Sequence, residues 1–437
     1  MSSLNVGFLS LAVVLVLIAI RVPIGVVLGG VGLVGLAILR DVDVALGLAK
    51  EEPFNFAARW SLTAIPMFLL MGAIAHSAGL STALFRAARL WFGALPGGLA
   101  VATNLACAGF AAASGSSVAT AAAMGRIAIP EMIKQGYDKA LATGVVASAG
   151  TLGALIPPSI LFVLYGIFAE VSIVKLLIAG LLPGLLTAAV YTMLIVGRCW
   201  LNPSLAPRID AAEFKAQQKE RWAALAPIWP LIVLIGGIIG GLYSGWVTPT
   251  EAGAGGAFLA FLIALLQGRL NRSNFLESLR ETASASARIF FVAIGAVIYT
   301  KFLAFTGLPD FFGQKIIEIG LNPLVLVIGT SLIYLFLGMF LDPLGVLLLT
   351  LPILLPMFDA LDLDLIWLGV LVVKYLEIGM LTPPVGFNVY VIKSVVGDKI
   401  PLETIFRGVG WFLAAEVVIM ALLIAFPQIS LWLPSKM

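Results

Sequence analysis

Two adjacent prolines, Pro157-Pro158, stand inside an apolar stretch, and the same pair recurs 226 residues further on as Pro383-Pro384. The recurrence is not isolated. The same shift lays Pro23 on Pro249, Gly29 and Gly30 on Gly255 and Gly256, Pro130 on Pro356, Gly153 on Gly379 and Gly184 on Gly410. One offset that holds across nearly half the chain reads as a duplication. It predicts a first unit over 1–200, a linker over 201–226 and a second unit over 227–437.

The surroundings of the proline pairs decide what kind of fold this is. The chain is 61% hydrophobic and 11% charged, against roughly 45–50% apolar and about 25% charged for a soluble domain. No soluble core hides that much apolar surface, so the bilayer is the solvent. With about 20 apolar residues per span, the chain has room for about ten to twelve transmembrane helices plus re-entrant segments. The expected fold is an all-α polytopic membrane protein. The N-terminus lacks a basic region before the apolar run Leu11–Ile20, which reads as a retained first helix and not a removed signal peptide.

Several function classes fall away. The net charge is +3 and the 26 basic residues are scattered, so nucleic acid is not an expected partner. Cys107 and Cys199 show no paired spacing and His76 is the single histidine, which argues against a disulfide framework or a histidine metal site. An intramembrane enzyme would need a nucleophile and a base within reach, and no such pairing stands out. A channel suits paired interruptions less well than alternating access does.

Charge sets the expected topology. The polar stretch from Arg198 to Trp222 carries Arg198, Arg208, Lys215, Lys219 and Arg221 against Asp210, Glu213 and Glu220. The stretch 267–288 carries Arg269, Arg272, Arg280 and Arg288 against Glu277 and Glu281. Both read as cytoplasmic, joined by spans over 228–243 and 249–267. The first-half counterpart, 40–59, has Arg40, Lys50 and Arg59 against Asp41, Asp43, Glu51 and Glu52, and reads as an external loop. Equivalent loops on opposite sides imply an inverted repeat, with a site near the midplane.

Four segments would carry the chemistry. Re-entrant hairpins are expected near 105–125 and 330–355, and broken helices near 145–168 and 370–395, ahead of a terminal helix at 411–427. In hydrocarbon, irregular backbone survives only when buried in protein or lining a cavity. Each proline pair removes two donors and pushes the preceding residue out of the helical region. The helices should therefore break at Ile156 and Thr382. A break frees carbonyls for a cation, and the half-helix after the prolines starts with an N-terminus that favours an anion. Gly115, Gly338 and Gly345 permit tight tips. Packing alone explains any single Gly/Ser/Pro segment; two repeat-related pairs favour a site.

Individual residues follow from the same reasoning. Asp342 lies in an apolar region, where a carboxylate reads as functional, with a helix-capping role as the alternative. Lys374 and Glu377 are spaced to pair on one helix face, mainly a structural reading, with Glu377 a weaker site candidate. Asn388, after the second proline pair, and Ser159, after the first, are placed to meet substrate, with Pro158 and Pro384 beside them and Tyr165 a looser candidate. Glu251, in T-P-T-E-A-G, reads as an anchor for a bend, and Arg126 as a topological charge.

These motifs resemble the large membrane subunit of tripartite ATP-independent periplasmic (TRAP) transporters. The matching stretches are S-G-S-S-V-A-T at 114–120, G-T-L-G-A-L-I-P-P-S at 150–159, V-T-P-T-E-A at 247–252, G-M-F-L-D at 338–342 and E-I-G-M-L-T-P-P-V-G-F-N at 377–388. They span most of the chain, in order. The resemblance implies an elevator-type, sodium-coupled symporter in the bacterial inner membrane that takes up an organic acid anion. It also implies two partners: an extracytoplasmic substrate-binding protein and a separate small four-helix membrane subunit. No cofactor is implied beyond Na+ as the coupling ion. Carried over, one sodium site uses Ser114, Gly115, Ser116 and Ser117 with Gly150, Thr151 and Gly153. The other uses Gly338 and Asp342 with Gly379 and Thr382. A standalone ion-coupled anion carrier without a binding protein is the alternative within transport.

Overall fold

The computed structural model describes residues 2–207 and 218–437; the linker charges Arg208, Asp210, Glu213 and Lys215 lie outside them. The described residues are helical, with short 3-10 turns and no strand. The first half holds α1 (Ser3–Ala19), α2 (Ile24–Leu39), α3 (Val42–Ala57), α4 (Ala64–Ser77), α5 (Leu80–Phe92), α6 (Gly98–Ser114), α7 (Ser117–Lys134), α8 (Lys139–Gly150), α9 (Ile160–Phe168), α10 (Ile173–Ala179) and α11 (Leu181–Leu201). After α12 (Gln218–Leu225), the second half holds α13 (Trp229–Tyr243), α14 (Pro249–Leu266), α15 (Arg272–Thr306), α16 (Leu308–Glu318), α17 (Pro323–Gly338), α18 (Pro343–Asp359), α19 (Leu365–Gly379), α20 (Phe387–Val396), α21 (Leu402–Ala425) and α22 (Gln428–Leu431).

Helix starts recur at the offset seen in the prolines. α1, α7 and α8 begin at Ser3, Ser117 and Lys139, and α13, α18 and α19 begin at Trp229, Pro343 and Leu365, the same positions shifted by 226. The halves differ in how their helices are divided. Where the first half breaks into α3, a 3-10 turn and α4, the second runs through as α15, a single helix of 35 residues. At 1.5 Å per residue it is about 50 Å long, against a hydrocarbon core of about 30 Å, so its charged first turns extend past the apolar layer.

Two stretches read as loops from their charges are helical. Most of residues 40–59 belongs to α3 (Val42–Ala57), whose start is capped by Asp41. Its Glu52 is buried and ion-paired with Lys301 of α15. Much of 267–288 belongs to the start of α15. Charge density alone does not separate a loop from a helix whose polar residues find partners. Glu251 does anchor a helix start: Thr248 and Glu251 form a reciprocal capping box at the head of α14, which satisfies two free N–H donors.

The halves interlock. α2 packs along α15, and its counterpart α14 packs along α4, so each half's second helix lies on the other half. Deeper in, α8 packs against α7 and α21, and α19 against α17. Among the described residues, six helical stretches are long and apolar enough to cross a membrane, and five shorter helices are also apolar. The outer surface is apolar as well: Trp246, Leu201 and Phe54 are 88%, 78% and 75% exposed. In water such a surface would drive association; against lipid tails it is matched.

Candidate functional site

The first hairpin is formed by α6 and α7. α6 ends on Gly115, whose φ of +63° is a left-handed conformation that glycine adopts without a Cβ penalty. Ser116 caps α7, its hydroxyl accepting from Ala119 N at 3.4 Å. The tip is pressed onto the first broken helix: a Cβ on Gly115 would sit 2.6 Å from the Pro158 carbonyl oxygen, and one on Gly153 2.5 Å from the Ser116 carbonyl oxygen. Ser114 and Thr120 share a hydroxyl–hydroxyl bond of 2.6 Å within this contact. Ser114–Ser117 and Gly150–Gly153 are therefore brought together. Thr151 turns inward, donating to the Ser148 carbonyl at 2.6 Å.

The first break is wider than one residue. α8 ends at Gly150, a 3-10 turn covers Thr151–Ala154, and α9 starts only at Ile160. Ile156 lies inside this interruption. Ser159 is fully buried and caps α9, accepting from Phe162 N at 3.3 Å. Tyr165 donates to the Leu365 carbonyl at 2.8 Å, bracing α9 against the start of α19.

The second hairpin and break meet by backbone contact. A Cβ on Gly338, at the end of α17, would lie 3.0 Å from the Gly379 Cα. α19 ends at Gly379, three residues before the expected Thr382, because the pre-proline restriction acts on a chain already tightened into i→i−3 bonds from Leu381 and Thr382. Thr382 returns its hydroxyl to the Ile378 carbonyl at 2.7 Å. Asp342 caps α18, its Oδ1 accepting from Leu344 N and Gly345 N, both at 3.1 Å.

The two breaks differ in access. Pro157, Pro158 and Ser159 are buried, whereas Pro383 and Pro384 are exposed. Asn388 is buried rather than facing the open prolines; its Nδ2 donates to the Ala147 carbonyl on α8 at 3.4 Å, and its Oδ1 has no hydrogen-bond partner. It ties one broken helix to the other.

The expected Lys374–Glu377 pair is not formed. Lys374 donates to Glu416 of α21 at 2.7 Å and to the Thr187 hydroxyl of α11 at 3.0 Å. Tyr191 of α11 donates to the same Glu416 oxygen. Glu377 instead accepts from the Ser117 hydroxyl at 3.0 Å. Both side chains lie in the protein interior, where neighbouring helices offer closer partners than the turn above. Arg126 is exposed on α7. Thr120 carries part of the tip contact and was legible only as the end of the S-G-S-S-V-A-T stretch.

Hairpins seated on interrupted helices, inside an apolar helical shell, define a polytopic membrane transporter. The chain matches the model of the family "Tripartite ATP-independent periplasmic transporter, DctM component" over residues 11–429. It is 36% identical over 385 residues to the C4-dicarboxylate TRAP transporter large permease protein DctM of Pseudomonas aeruginosa, covering 87% of this chain and 88% of that protein. It is 34% identical over 427 residues to the sialic acid TRAP transporter large permease protein SiaM of Vibrio cholerae, covering 94% and 98%. Its fold is similar to that of the YdaH transporter of Alcanivorax borkumensis, with a TM-score of 0.62 at 17% identity, covering 97% of this chain and 98% of that one. The chain belongs to the DctM family of TRAP transporter large permeases, a family of membrane transport subunits and not of enzymes.

Proposed function

We propose that this permease imports a small organic acid anion by sodium symport, as an elevator-type carrier in the bacterial inner membrane. The observation that supports it best is the seating of each hairpin on a helix break: Gly115 on Pro158 and Gly338 on Gly379. Breaks of this kind present free carbonyl oxygens to cations and half-helix N-termini to anions. The oxygen-rich tip of the first hairpin, with Ser114, Ser116 and Ser117, suits a hard monovalent cation, with Gly150, Thr151 and Gly153 opposite. The second site draws on Gly338, Asp342, Gly379 and Thr382. Asp342 is a member of the second site's own set, whereas the carboxyl nearest the first site, Glu377, comes from the other half and is held by Ser117, so the two are chemically unequal.

The substrate lies between the breaks, near Pro158 and Ser159 on one side and Pro384 and Asn388 on the other. Named relatives carry C4-dicarboxylates and sialic acid, and both substrate types bear carboxylates. The N-termini of α9 and α20 supply positive ends for such a group. An inverted repeat gives the alternation: one break is buried while the other is open. Substrate reaches the carrier from an extracytoplasmic binding protein, and a separate small membrane subunit completes the complex.

Reconstitution tests this reading. Proteoliposomes holding the chain and its small subunit are expected to take up the carboxylate only when the binding protein is present outside. Uptake of equal rate without the binding protein would instead establish a standalone carrier.

A further inference from the structure

Two fully buried ionisable side chains lie on α19 and point to different neighbours. Lys374 and Glu377 are 0% and 1% exposed. Lys374 is held by Glu416 of α21 and Thr187 of α11. The Glu377 Oε1 accepts from Ser117, the first residue of α7, and its Oε2 has no hydrogen-bond partner. Ser117 sits at the tip of the first hairpin, and Glu377 two residues before the end of α19, so the bond joins sequence positions 260 apart. It crosses from the hairpin of one half to the broken helix of the other.

A carboxylate in a membrane interior is costly and is retained for a task. Here the start of α7 offers the positive end of a helix to it, and the Ser117 hydroxyl fixes its direction. The duplication provides an internal comparison. Shifted by 226, Ser117 corresponds to Pro343 and Glu377 to Thr151. Pro343 has no donor, and Thr151 bonds back to the Ser148 carbonyl of α8. The strut exists once, and the symmetric position lacks it.

We propose that Glu377 is a positioning residue that fastens the tip of the first hairpin to the second broken helix, so that the two move as one body. The bond carries no substrate itself; it sets where the Ser114–Ser117 tip stands relative to the Gly379–Thr382 break. Its consequence for transport rests on the carrier reading above, while the strut itself does not depend on sodium coupling.

Hydrogen–deuterium exchange of the full-length chain in lipid nanodiscs, in sodium-free choline buffer, tests it. Both Glu377→Ala and Ser117→Ala are expected to speed amide exchange about tenfold, the loss of one buried hydrogen bond with its remaining partner left unsatisfied. The acceleration should appear in 114–120 and in 377–382 alike and leave α2 unchanged. Glu377→Gln keeps an acceptor oxygen and should retain wild-type exchange. A change confined to the mutated residue's own segment, or Glu377→Gln behaving as Glu377→Ala, overturns the strut. If Glu377→Ala does not fold, Ser117→Ala decides by the same criterion. Sodium titration of the wild type by the same readout is a separate arm: no protection by sodium would count against sodium coupling and leave the strut result standing.

Discussion

A Cβ on Gly338 would lie 3.0 Å from the Gly379 Cα, and one on Gly379 would lie 2.8 Å from the Gly338 Cα. The end of the second hairpin's first arm and the end of α19 thus touch backbone to backbone, with no room for a side chain. Gly338→Ala and Gly379→Ala must force the two segments apart. Overpacking of this kind costs about 1–3 kcal/mol. Each variant should unfold at a lower temperature than the wild type in detergent. Each should also need more sodium for half-maximal uptake, because the second cation site lies across this contact. Unchanged thermal stability in both variants would show that the contact relaxes freely.

Asp342 separates capping from charge. Its Oδ1 caps α18 through Leu344 N and Gly345 N, a function that Asn performs as well and Ala does not. Asp342→Ala should lose about 1 kcal/mol from the missing cap together with sodium dependence. Asp342→Asn should keep stability and still lose sodium affinity, since only the charge is gone. Wild-type sodium kinetics in Asp342→Asn would reduce Asp342 to a capping residue.

Lys374 and Glu416 form an ion pair with side chains 0% and 2% exposed. Removing one partner leaves a buried charge uncompensated, at a cost of about 3–5 kcal/mol. Lys374→Met and Glu416→Leu singly should therefore fail to give a monodisperse protein in size-exclusion chromatography. The double variant should recover much of the wild-type yield, as apolar replacements of buried pairs do. A double variant as poor as either single one would mean that the pair does more than balance charge.

Much of this arrangement was legible in the sequence because backbone chemistry is local. Two prolines in a row interrupt a helix wherever they fall, and the shift of 226 reached the starts of α7 and α18 to the residue. Gly115 announced a tip because the turn needs a positive φ. What could not be read was which helices come together. A spacing of three suggested Lys374 with Glu377, but the partners chosen, Glu416 and Ser117, stand 42 and 260 residues away. Likewise, composition made the proline pairs equal, yet packing buries Pro157-Pro158 and leaves Pro383-Pro384 exposed. Charge counts over 40–59 missed α3 because the partner of Glu52, Lys301, is on α15.

Sodium symport is tested by simultaneous measurement of labelled sodium and labelled carboxylate entering proteoliposomes that contain the permease and its small subunit, with the binding protein outside. Both isotopes are expected to enter together in a fixed ratio, with an inward sodium gradient driving accumulation and replacement of sodium by choline abolishing it. Carboxylate accumulation at the same rate in choline, with no accompanying sodium entry, would contradict symport.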